Sequence, residues 1–140
     1  MKVKVLGKYG PYPKSGGATS AYLLTSDSAT VAFELGSGAF VRLINSVDVS
    51  DLDAIIISHF HFDHCSDIGV LSYYLLRLSI AGKVKLPVKL YCPECDSPLL
   101  AAFKNMKAFD VITVGDGQEI RLKDLSLKFY SVNHPVPCLG

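Results

Sequence analysis

Asp53-Ala54-Ile55-Ile56-Ile57-Ser58-His59-Phe60-His61-Phe62-Asp63-His64 runs from an unbroken apolar stretch directly into three imidazoles and a carboxylate. Ile55-Ile56-Ile57 reads as a strand buried on both faces, because a strand with only one covered face alternates apolar and polar residues. The end of a buried strand is rigid, and the loop after it can turn several side chains toward one point. Imidazole nitrogens and carboxylate oxygens are good zinc ligands. His59 and His61 are two apart, so in an extended segment they face the same way; Asp63 keeps that parity and His64 breaks it. The pattern predicts two adjacent metal positions, one taking His59 and His61, the other Asp63 and His64. The chain has four histidines. The fourth, His134, is expected at the end of another strand on the same sheet edge, as third ligand of the first metal. Three protein nitrogens leave one tetrahedral position to water, as in catalytic zinc sites.

Outward from this stretch, strands and helices alternate. Lys2-Val3-Lys4-Val5 alternates as a strand does. Ala21–Thr25 and Thr30–Leu35 read as a hairpin around Ser26-Asp27-Ser28. Ala39–Val47 reads as a short helix. Ser66–Ala81 reads as a long core helix with Ser66 as N-cap and Gly82 as its stop. Val88–Tyr91 is a strand, and Ser97–Phe109 a helix with Pro98 at its first position. Val111–Val114, Gln118–Leu122 and Leu127–Val132 are further strands, the first two joined by a turn at Asp116-Gly117. The expected class is α/β with a mixed sheet.

Composition excludes several functions. The 140 residues suit one domain, and 49% hydrophobic with 19% charged residues excludes a disordered chain. Fourteen basic against thirteen acidic residues give a net charge of +1, so no bulk field favours nucleic acid, a membrane surface or an acidic partner. No run reaches the roughly 18 apolar residues of a membrane span, and the opening Met1–Gly7 lacks a signal-peptide core. A cytoplasmic location with free thiols is therefore expected for Cys65, Cys92, Cys95 and Cys138. The end at Pro135-Val136-Pro137-Cys138-Leu139-Gly140 reads as a cut rather than a finished terminus.

His59-x-His61-x-Asp63-His64 after an apolar strand resembles the signature of metallo-β-lactamase-fold hydrolases. Phe33-Glu34-Leu35-Gly36-Ser37-Gly38 resembles the family's first motif, hydrophobe-Asp-x-Gly-x-Gly. Asp67-Ile68-Gly69-Val70-Leu71 resembles the helix start of the ribonuclease Z-like branch, and Asn133-His134-Pro135 stands where the family's third motif would lie. The resemblance implies an αβ/βα sandwich and two zinc ions, sometimes iron or manganese, with hydrolysis by a metal-bridging hydroxide. By position, His59, His61 and His134 would hold the first metal, and Asp63 and His64 half of the second. Asp63 would also orient the hydroxide or handle its proton. A later bridging Asp and a last His have no counterpart in this chain, so residues 1–140 are expected to form one domain holding the N-terminal half of the sandwich plus the crossing strand. Such a half should bare one apolar sheet face and form a homo-oligomer through it.

Smaller signals stay open. Glu34 stands where the family prefers Asp, either as a tolerated swap or with altered support of the metal loop. Cys92-Pro93-Glu94-Cys95 reads first as incidental thiols, with a structural metal or disulfide as alternatives. Cys65 reads as a buried small residue that could instead approach the second metal, and Cys138 as inert. The loop holding Tyr9, Tyr12, Lys14 and Gly16-Gly17 either flanks the site or is plain surface. Two functions follow. One is a metal-dependent hydrolase acting on a small-molecule or nucleotide phosphodiester. The other is a metal-binding fragment or binding subunit without turnover.

Overall fold

The computed structural model describes all 140 residues. Six strands form one sheet in sequence order: β1 (Lys2–Gly7), β2 (Ala21–Thr25), β3 (Thr30–Phe33), β4 (Ala54–Ile56), β5 (Val88–Pro93) and β6 (Phe109–Val114). β1, β2 and β3 pair antiparallel, and β3 through β6 pair parallel. The sheet is thus mixed, as the sequence indicates. Parallel neighbours need crossovers. These are α1 (Ala39–Ile44) with a 3₁₀ turn at Val49–Asp51, then α2 (Phe62–Cys65) with α3 (Ile68–Ile80), then α4 (Pro98–Lys104).

The isoleucine run shows why the strand is apolar throughout. Ile55 and Ile57 enter a core with Leu43, Leu71, Leu75, Leu100 and Phe103 from the helices. Ala54 and Ile56 point the other way, into a second core with Leu122, Leu125, Phe129 and Leu139. The latter is closed by a hairpin, β7 (Glu119–Leu122) and β8 (Leu125–Lys128). The hairpin turn is anchored on the β2–β3 turn, where the Asp124 carboxylate accepts hydrogen bonds from the Ser26 and Ser28 hydroxyls at 2.6 and 2.7 Å. Lys123 Nζ lies 2.7 Å from Asp53 Oδ1. The bare sheet face expected from sequence is therefore limited to the β1 edge, where Val3 and Val5 are 60% and 55% exposed. No helix is long and apolar enough to cross a membrane.

Four local expectations change. α3 starts at Ile68, and Ser66 is not its N-cap: Ser66 is helical at the end of α2, and its Oγ has no partner. The Asp67 carboxylate instead accepts from the Phe40 amide at 2.9 Å. It thereby serves the N-terminus of α1, whose own cap, Gly38, has no side chain to offer. α4 stops at Lys104 because Phe109 is taken by the sheet, opposite Val88. The last strand runs Leu125–Lys128, ending short of Val132. Finally, His134 does not end a strand. It stands in a loop closed at its base by a bridge between Ser131 and Leu139.

Candidate metal centre

The site lies beyond the carboxyl end of β4, where open α/β sheets place their ligands. His59 is buried, His61 exposed and His134 half-buried, and one nitrogen from each falls within 4.8 Å of the others. His59 Nε2 is 3.1 Å from His61 Nδ1. The His134 ring centroid is 4.3 Å from that of His59 and 5.0 Å from that of His61. A tetrahedral ion bound about 2.05 Å from each nitrogen sets neighbouring nitrogens about 3.3 Å apart, so the His59–His61 spacing fits one cation without rearrangement. Burial, then the imidazoles of His64, His134 and His61, push the His59 pKa down to about 4. The ring is therefore neutral, with a lone pair free, at physiological pH.

A second group forms around Glu34, His59 and His64, one ligand atom from each again within 4.8 Å. His64 Nδ1 lies 3.3 Å from Glu34 Oε1 and its Nε2 lies 3.4 Å from Asp63 Oδ2. The Glu34 carboxylate raises the His64 pKa against the opposing effect of burial. Asp63 joins neither three-ligand group and is close to His64. The structure thus gathers His59, His61 and His134 at one point and sets His64 and Asp63 beside it. From the N-terminal loop, Gly10 borders the site: a Cβ built there would lie 3.2 Å from Asp63 Oδ2.

Glu34 has more contacts than its motif position reveals. Its two carboxylate oxygens accept from the Ser58 amide at 3.1 and 3.2 Å. Its backbone has φ 57°, a left-handed conformation rare for a residue with a long side chain. Such strain costs roughly 1–3 kcal/mol and persists where surroundings over-determine it. Here the next residues clamp the ligand loop: the Leu35 amide donates to His64 O at 2.7 Å, and Leu35 O accepts from the Asp67 amide at 3.0 Å. The sequence offers two signals for Glu34: its place in the Phe33–Gly38 motif, and its position directly after β3, the parallel neighbour of β4. None marks Ser58 beyond adjacency to His59.

The cysteines form no disulfide, and Cys92 and Cys95 belong to no three-ligand group. Cys65 is buried, donates to His61 O at 3.3 Å and has its pKa pushed up to about 12 by burial. It is a packed thiol. Cys138 is nearer the site than its sequence position suggests, with Sγ 3.6 Å from His59 Nδ1.

A mixed sheet with helices on one face, and histidines from two loops converging at a strand end, define an α/β domain with a candidate metal centre. The chain belongs to the metallo-β-lactamase superfamily, whose model matches residues 15–127. It is 30% identical over 138 residues to "Probable metallo-hydrolase YhfI" of Bacillus subtilis (strain 168), covering 99% of this chain and 57% of that protein. It is 28% identical to a ribonuclease Z of Salinispora arenicola (strain CNS-205), covering 97% and 45% respectively. The crystal structure of the Bacillus subtilis YhfI superposes with a TM-score of 0.91 at 30% identity, over 98% of this chain and 56% of that one. Human tRNase Z, short form, shares the fold with a TM-score of 0.71 at 19% identity, over 99% and 63%. The chain spans about half the length of the curated relatives it matches.

Proposed function

We propose that this chain carries the first metal site of a zinc-dependent hydrolase acting on phosphodiester bonds. The observation that carries the reading is the convergence of His59, His61 and His134 on one point with nitrogen spacing suited to a tetrahedral ion. The fit extends to chemistry, because His59 is held neutral and three imidazoles suit zinc, with iron or manganese as alternatives. Zinc, when bound, supplies Lewis acidity toward a phosphoryl oxygen and a hydroxide nucleophile at neutral pH. His59, His61 and His134 hold that ion. Asp63 and His64 would take half of a second position, and Asp63 would orient a nucleophile or accept its proton. Glu34 fixes Ser58 and His64. The ribonuclease Z relatives support a phosphodiester substrate, small-molecule or nucleotide.

A second reading has its own support. The chain spans about half the length of its matched relatives, and a chain that binds metal without turnover is compatible with that span. Metal analysis and hydrolysis of bis-p-nitrophenyl phosphate separate the two. Zinc near two equivalents with turnover supports the hydrolase, and one equivalent without turnover supports the binding role. A chain that binds no zinc rejects both. Self-association through the exposed Val3 and Val5 edge belongs to the same proposal. Sedimentation velocity reads it, and a monomer at all concentrations rejects it.

A further inference from the structure

His61 belongs to the histidine cluster and also lines a cavity of about 400 Å³. Three loops border this cavity beyond the strand ends: the ligand loop after β4, the β5–α4 connection and the loop carrying His134. Roughly 300–1,000 Å³ is the usual size for an organic-ligand pocket, and an enclosed space of about 150 Å³ already holds a benzene ring.

The walls are apolar. Phe60 is buried, with its ring centroid 6.0 Å from that of Phe103 in the core, so this wall is fixed. Pro98, Val136 and Pro137 supply the rest. The polar groups of the lining are few. Ser97 Oγ is engaged, accepting from the Leu99 amide at 3.2 Å. The Ser97 amide donates to Cys95 O at 3.0 Å, which holds the turn. The Cys95 thiol is uncharged at neutral pH, because burial and then the carboxylates of Glu94 and Asp96 raise its pKa. Asp96 is exposed and is the only carboxylate in the lining. No lysine or arginine lines the cavity, and Lys104 Nζ lies 3.7 Å from Glu94 Oε2 instead.

A phosphoryl group held at the histidine cluster has this cavity as its neighbour, since His61 borders both. A second phosphate there would face Asp96 with no cation to offset the repulsion, whereas a ring would meet Phe60, Val136 and two prolines. We infer that the His61 cavity is a specificity subsite for an uncharged aromatic ring carried beside the phosphoryl group, and that Asp96 turns away anionic substituents. The substrate class narrows to a phosphodiester bearing an aryl or nucleobase-type ring, as opposed to a polyphosphate. This rests on the phosphodiester reading for its purpose, but the cavity is a property of the metal-free chain.

The test uses the full chain and probes that cannot be hydrolysed. With zinc added, calorimetry should show phenylphosphonate binding tighter than methylphosphonate by roughly tenfold or more, from burial of the ring. A charged ring, 4-carboxyphenylphosphonate, should bind about threefold more weakly than phenylphosphonate, the scale of an exposed charge pair. Asp96→Lys, at an exposed position outside the core, should reverse that last order. In the metal-free chain, ¹H–¹⁵N spectra titrated with p-cresol should shift the Cys95, Ser97 and Val136 amides. A phenyl preference below about threefold, p-cresol shifts that miss those three amides, or an Asp96→Lys chain that ranks the two aryl phosphonates as the parent does, each overturns the inference. A chain that binds neither zinc nor any phosphonate defeats the metal reading, and p-cresol then decides the cavity: shifts at the three amides support it as an aromatic site, and their absence overturns it.

Discussion

Gly36→Ala should collapse the ligand loop, although residue 36 binds nothing. A Cβ built at Gly36 lies 1.9 Å from Asp63 O, 2.6 Å from Asp63 C and 2.1 Å from Thr19 Oγ1. Carbon and oxygen come no closer than about 3.3 Å even in favourable contacts, so the Asp63 carbonyl would have to retreat by more than 1 Å. Thr19 can rotate its hydroxyl away, because Oγ1 has no hydrogen-bond partner to lose. Asp63 has no such freedom, since its neighbours are tied by Leu35 N–H to His64 O and Asp67 N–H to Leu35 O. Overpacking costs about 1–3 kcal/mol, and losing two backbone hydrogen bonds about 1–3 kcal/mol more. A total near 4 kcal/mol, spread over an unfolding entropy of about 0.3 kcal/mol/K for a chain of this length, lowers the melting temperature by roughly 13 °C. Differential scanning calorimetry measures that shift, and zinc content should fall with it. Gly69→Ala is the control: nothing lies within 4 Å of its added Cβ, so it should stabilise α3 by about 0.5–1 kcal/mol and leave zinc unchanged. A Gly36→Ala chain melting within 2–3 °C of the parent, roughly 1 kcal/mol on the same scale, with full zinc content, would show that Asp63 is not held as described.

His61→Ala should sharply lower zinc content at small cost in stability, because His61 is exposed and outside the core; parental zinc occupancy would reject the ligand assignment. Cys92→Ser with Cys95→Ser should leave metal content unchanged, and loss of one equivalent would make that pair a metal site. Acid should destabilise the metal-free chain between pH 6.5 and 4. His59 titrates at about 4 when folded against an ordinary 6.5, so the unfolded chain binds the extra proton, and the favourable term is full above 6.5 and lost on acidification. The 2.5-unit gap corresponds to at most about 3 kcal/mol. His64, raised by Glu34, acts with the opposite sign, stabilising below 6.5 and fading as pH rises through its folded value. Urea melts of the parent and His59→Gln should converge toward pH 4, and parallel curves across the window would refute the assignment.

Residues 53–64 determined a good deal unaided. The apolar run could only be a strand covered on both sides, and the histidines after it had to emerge at that strand's end, because local spacing and burial need no distant partner. The mixed sheet, the α3 core helix and its stop at Gly82 follow from the same local rules. Ser66 shows their limit: a plausible cap by sequence, it yields to Asp67, whose carboxylate finds the Phe40 amide. The hairpin over Ile56 was likewise beyond sequence, since its hold on the β2–β3 turn joins residues nearly a hundred positions apart. Only the tertiary structure set Glu34 against Ser58 and His64, and fastened the His134 loop through Leu139. Side chains from separate strand ends meet according to how the sheet twists and how loops close, and neither is encoded in the spacing of any one segment.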